Sequence, residues 1–158
     1  MLKFYKESLD KIKLHGPTHF SDVINKVIKD VNDDLKSNPQ KNNYYILMIL
    51  TDGIINDMNE TIDSIVEGSK LPLSIVIIGI GNADFTNMVF LDGDKIPLKN
   101  SSGEIRKRDI VQFVEFKKFK VKNGDNNADE LAEEVLKEIP RQIEEYYHFC
   151  GKFYESNE

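Results

Sequence analysis

Two short segments carry oxygen donors from which a divalent-cation site could be assembled: Pro17-Thr18-His19 and Thr51-Asp52-Gly53. A threonine hydroxyl and a carboxylate are hard ligands. They suit Mg²⁺ or Mn²⁺, which take oxygens in an octahedral array and keep several waters. Two protein oxygens alone hold such an ion weakly, so Thr18 and Asp52 are candidate metal ligands that need further donors.

The remaining polar residues offer less chemistry. Gly79-Ile80-Gly81 opens like a dinucleotide fingerprint, but Asp84 stands where the third glycine belongs, so it reads as a tight strand exit. Asp92-Gly93-Asp94 begins like a calcium loop without the later ligands or the closing Glu, and reads as a turn. His15, His19 and His148 lack metal-binding spacing, and Cys150 lacks His or Asn partners and reads as an inert helix residue. Asp57 and Asp84 are expected to be loop or cap residues. Lys117, Lys118, Lys120 and Lys122 are expected to form a solvated strand edge rather than a nucleic-acid patch.

The elements that would position Asp52 are legible from their patterns. Residues 44–50, YYILMIL, form a fully apolar run, which suits a strand buried on both faces of a parallel sheet. A second such run spans 73–80, LSIVIIGI, with a helix expected over 60–68 between them. That order predicts parallel strands joined by a right-handed crossover. Open sheets of this kind place ligands at the carboxyl ends of their strands, where Asp52 is expected.

An amphipathic helix is predicted at the start, with Leu2, Tyr5, Leu9, Ile12 and Leu14 apolar, ending near His15-Gly16-Pro17. Ser21 is a candidate N-cap for a helix over 22–35, with Val23, Ile24, Val27, Ile28, Val31 and Leu35 on its apolar side. Further on, a polar loop (37–43), a short helix (85–91) and a small hairpin (96–105) are expected. A third strand lies within 109–120. Its alternation of Phe113, Glu115 and Lys117 predicts half exposure near a sheet edge. After a polar loop over 123–127, a long helix begins at Asp129 and continues past an interruption at Pro140 towards Phe149. There is no repeat and no internal boundary, so one α/β domain over 1–150 and a tail over 151–158 are expected.

With 158 residues, 40% apolar and 30% charged, the chain has the composition of a globular domain with an ordinary core. The net charge of −6 disfavours nonspecific nucleic-acid binding. A single cysteine excludes a disulfide framework and fits a reducing, intracellular setting. No stretch reaches the roughly 20 apolar residues of a membrane span, and the start lacks the apolar centre of a signal peptide.

Several long segments together carry a family resemblance. LHGPTHFSDVINKV, YYILMILTDGIINDMNETIDSIV, LPLSIVIIGIGNADF, LDGD and RKRDIVQFVEF, in this order and spacing, resemble the C-terminal domain of copines. The closing LAEEVLKEIPRQIEEYYHF does so too. That domain is related to the von Willebrand factor A and integrin inserted domains. The resemblance implies a three-layer, open, mainly parallel sheet flanked by helices, with the first strand central. It also implies a metal-ion-dependent adhesion site built from three loops. Thr18 in GPTHF matches the threonine of the second loop and Asp52 in LTDG the aspartate of the third. No segment matches the Asp-x-Ser/Thr-x-Ser of the first loop, so the site is expected to be incomplete here and the first strands to be missing. Residues 44–50 would then be an apolar edge, a template for pairing with a second copy, unless the N-terminal helix is displaced to cover it.

The leading functional reading is therefore a non-enzymatic protein-interaction module. A partner's acidic side chain would complete the coordination of Mg²⁺ or Mn²⁺ held by Thr18 and Asp52. The resemblance also implies a cytoplasmic protein recruited to membranes by calcium-dependent lipid-binding modules that this chain does not contain. An enzyme on a doubly wound fold is the alternative, since fold does not set function. However, no P-loop, complete dinucleotide fingerprint, nucleophile elbow or paired His/carboxylate base is present. A purely structural or dimerisation fragment is the third reading.

Overall fold

The structure, a computed structural model, describes residues 2–13, 16–93, 96–119 and 127–151. Its elements in chain order are α1 (Leu2–Leu9), α2 (Phe20–Ser37), β1 (Tyr45–Thr51), α3 (Met58–Gly68), β2 (Leu73–Gly79) and α4 (Thr86–Asp92). β3 (Val111–Glu115), a 3-10 turn (Phe116–Phe119), α5 (Ala128–Leu136) and α6 (Ile139–Phe149) follow. The three strands are parallel in the order β1-β2-β3. Thr51 aligns with Gly79 and Gly79 with Glu115, so the carboxyl ends of all three strands form one edge.

Alternation along the strands sorts side chains to two faces. One face packs Tyr45, Leu47 and Ile49 of β1 with Ile75, Ile77, Val111 and Phe113. Ile24 and Ile28 of α2, Ile65 of α3, and Met88 and Leu91 of α4 complete that core. On the other face Val76, Ile78 and Val114 pack with Val135 of α5 and Ile139 of α6. β2 is buried along its whole length, as expected of a central strand.

β1 departs from the expectation of two-sided burial. Ile46, Met48 and Leu50 are 48%, 52% and 62% exposed, because α5 and α6 cover β2 and β3 but not the outer strand. β1 is thus an edge with one apolar face open, as the resemblance implied.

Other local expectations are revised. α1 stops at Leu9, and Leu9 and Ile12 are exposed, while Leu14 and His15 lie outside the described residues. An eight-residue helix has little intrinsic stability without a packed face. In α2 the buried stripe is Phe20, Ile24, Ile28 and Val31, at helical spacing. Val23 falls off that stripe and is exposed. β3 is covered on both faces rather than half bare, although it ends the sheet order. Lys117 and Lys118 lie in the 3-10 turn, not on a strand edge, and both pair with Glu115, at 2.7 and 3.3 Å. Lys120, Lys122, Asp94 and residues 123–126 lie outside the described residues.

The expected long final helix is two helices. α5 begins at Ala128 rather than Asp129, with Asn127 as its N-cap, whose side chain accepts from the Glu130 N–H. Pro140 lies in the first turn of α6, where its missing N–H costs nothing, so the break falls before it. α6 is tied to the sheet by Arg108. Its guanidinium donates to the Tyr44 hydroxyl and the Gln142 carbonyl, both at 3.0 Å, to the Leu73 carbonyl at 2.8 Å, and to the Leu71 carbonyl. The rings of Tyr44 and Tyr146 lie against it.

Candidate metal site at the carboxyl edge

Three segments meet where the strands end: residues 16–19 before α2, 52–57 after β1 and 80–85 after β2. The last residue of β1, Thr51, is buried and turns its hydroxyl to accept from the Gly53 N–H at 3.1 Å. The Ile80 N–H donates to the Thr51 carbonyl at 2.7 Å, which carries the ladder one residue past β2. Asp52 follows Thr51 and is exposed.

Two close approaches shape this edge. Gly53 has φ +107°, and a Cβ there would lie 2.8 Å from the Ala83 Cβ and 3.2 Å from the Asp84 carbonyl oxygen. A Cβ on Gly79 would lie 2.7 Å from the ring of the buried Phe85. The 80–85 segment therefore seats directly on the ends of β1 and β2. This is the tight strand exit expected of Gly79-Ile80-Gly81.

Thr18 reaches the same edge through Asn56. The Thr18 N–H donates to Asn56 Oδ1 at 2.8 Å, and the Asn56 N–H donates to the Thr18 carbonyl at 3.0 Å. One residue further on, the buried Asp57 carboxylate accepts from the Phe20 N–H at 3.0 Å and from the Ser21 N–H at 2.8 Å. Asp57 thus satisfies two amides in the first turn of α2, which have no partner inside the helix. Ser21 is not the N-cap. His19 occupies that position without a side-chain capping bond, and a carboxylate from outside the helix does the capping. Burial pushes the Asp57 carboxyl up, but the bonds from Ser21 and Phe20 outweigh it and hold it below the ordinary value.

The donor set fits a hard cation in kind but not in number. No hydrogen bond or ion pair occupies the Thr18 hydroxyl or the Asp52 carboxylate among the described residues. No group of three or more His, Cys, Asp or Glu side chains that could hold an ion occurs among them either. Asp84 is a turn residue, as expected, and accepts from the Thr86 N–H at 2.9 Å and the Thr86 hydroxyl at 2.5 Å. Cys150 is exposed at the C-cap of α6.

The sequence has relatives. A family model described as Copine matches residues 1–153. This chain belongs to the copine family. It is 49% identical to Copine-A of Dictyostelium discoideum over 143 residues, which is 90% of this chain and 22% of that protein. It is 45% identical to Copine-C of the same organism over 151 residues, 96% of this chain and 27% of that protein. The chain thus spans about a quarter of the length of these copines. Its parallel sheet covered by helices is von Willebrand factor A-like, as the copine resemblance implied. No helix among the described residues is long and apolar enough to cross a membrane.

Sequence reasoning placed Thr18 and Asp52 on neighbouring loops but missed what joins them. Asp57-x-x-Glu60 reads locally as a capping box for α3, which hides the carboxylate's bonds to α2. Asn56 carries no local signal, since its partner lies 38 residues away.

Proposed function

We propose that this chain is the protein-interaction module of a copine-like, calcium-dependent phospholipid-binding protein, with Thr18 and Asp52 as ligands in a divalent-metal adhesion site. The observation that carries this reading is the reciprocal Thr18–Asn56 bonding, which joins the loop bearing one donor to the segment bearing the other. The Thr18 hydroxyl and Asp52 carboxylate would hold Mg²⁺ or Mn²⁺, with waters and a partner's acidic side chain in the remaining positions. When bound, the ion supplies a positive charge with an exchangeable position. The exposed Ile54 and Ile80 near Asp52 offer apolar contact to a partner at the same edge. The role is binding rather than catalysis, the protein is cytoplasmic, and membrane recruitment comes from modules outside this chain.

Calorimetric titration of Mn²⁺ and Mg²⁺ into this chain and into Asp52→Ala tests the reading. Saturable binding that the substitution abolishes is the expected result. Equal binding by both proteins would remove Asp52 from the site.

A second reading rests on the open face of β1. The strand YILMILT carries no charge and no proline, no strand among the described residues pairs with its outer edge, and Ile46, Met48 and Leu50 on one face are exposed. Such an edge pairs readily with a second copy of itself.

A further inference from the structure

We infer that Asp92 and the Arg106–Asp109 ion pair seal the outer edge of β3, so that no further strand, from a second copy or another protein, adds to the sheet at that end. The inference concerns the end of the sheet opposite β1 and does not depend on the metal site.

A strand at the end of a sheet presents unpaired N–H and C=O groups, which invite another strand. β3 holds that position among the described residues. Ile75 aligns with Val111, and its N–H donates to the Ile110 carbonyl at 2.6 Å. Residues that bond a neighbouring strand alternate along a parallel ladder, so Val111 and Phe113 turn their amides away from β2. Carboxylates take both. The Val111 N–H donates to Asp109 Oδ1 at 3.2 Å, and the Phe113 N–H to Asp92 Oδ1 at 2.9 Å.

Arg106 ties the two carboxylates into one unit. Its guanidinium donates to both Asp109 oxygens, at 2.8 and 3.0 Å. It also donates to the Asp92 carbonyl at 3.2 Å and the Gly93 carbonyl at 3.0 Å, where α4 ends and a cation is favoured. The Arg106 and Asp109 side chains are only 9% and 11% exposed, so the pair is held away from water. Phe113 and Glu115 line a groove of about 560 Å³ together with Val89 and Asp92 of α4, so hydrogen bonding rather than packing closes this edge. An arriving strand would have to bring its carbonyls to amides already occupied by carboxylate oxygens, acceptor against acceptor. β1 differs. Its Tyr45 N–H and Thr51 carbonyl bond towards β2, which turns the amides of Ile46, Met48 and Leu50 outward, and no side chain among the described residues takes them. Head-to-tail growth of the sheet needs both edges open, so the seal also bars open-ended arrays.

The test uses Met48→Lys as its background, which keeps the β1 edge out of the readout. Asp92→Ala removes the acceptor for Phe113, whereas Asp92→Asn removes the same charge and keeps Oδ1. Amide hydrogen exchange is read at Phe113, with Ile75 and Ile77 of β2 as the folding control, and association by sedimentation velocity. Asp92→Ala is expected to speed exchange at Phe113 by at least about tenfold with the β2 amides unchanged, and to strengthen self-association by at least about tenfold. Asp92→Asn is expected to match its parent in both. Unchanged exchange at Phe113 in Asp92→Ala overturns the seal. So does faster exchange without added association, or equal association by the Asn and Ala variants. If Asp92→Ala unfolds, shown by rapid exchange throughout β2, the Met48→Lys chain itself decides. There Phe113 is expected to exchange at least about tenfold more slowly than Ile46 and Leu50, and equal rates overturn the inference.

Discussion

Gly53 stands directly after Asp52 at φ +107°, a conformation in which an L side chain is strained wherever it points. It also lies against Ala83 and the Asp84 carbonyl, so two independent costs attach to a Cβ there. Gly53→Ala is expected to destabilise the chain by about 3 kcal/mol, from backbone strain and overpacking together. For a domain of this size that lowers Tm by roughly 10 °C, which differential scanning calorimetry would detect. An unchanged Tm would mean that the 80–85 segment yields easily. The T-D-G pattern marked the turn from the residues alone. Its close contact with Ala83 could not be read that way, because 30 residues and a whole helix separate the two.

Among the elements, β1 holds the clearest conflict between composition and surroundings. Its seven residues are as apolar as those of β2, yet Ile46, Met48 and Leu50 face solvent. An apolar run reports that a strand can be buried on both faces, not that something covers it. Met48→Lys places a charge at the centre of that stripe and acts as a gatekeeper against edge pairing. Sedimentation velocity is expected to show self-association of the chain weakened at least about tenfold by the substitution, a change worth ~1.4 kcal/mol. A monomer before and after substitution would remove the edge-pairing reading. At the opposite end of the same strand Arg108 draws Tyr44, Leu71, Leu73 and Gln142 together, so α6 is held at one end of β1 while the strand's outer face stays bare.

The molecule as a whole is acidic, with a net charge of −6, and Lys117 and Lys118 are engaged by Glu115. An acidic body gains little from an anionic surface. The chain is therefore expected not to co-sediment with phosphatidylserine vesicles, with or without calcium. Calcium-dependent sedimentation would overturn the assignment of lipid binding to modules outside these residues.

Residues 73–80 and 44–50 announced a parallel sheet, because two apolar runs flanking a helical pattern have few other ways to be buried. Thr18 and Asp52 were visible as hard donors from atom type, and the copine resemblance is what singled them out as ligands. Local periodicity and chemistry travel with the chain and need no partner to be read. The bonds of Asp57 to α2, the clasp of Asn56 on Thr18 and the exposure of Ile46, Met48 and Leu50 depend instead on residues more than 30 positions away or on helices that stop short of an edge. Such relations arise only when distant segments pack. The loop bearing Thr18 therefore meets the one bearing Asp52 through the fold, not through spacing along the chain.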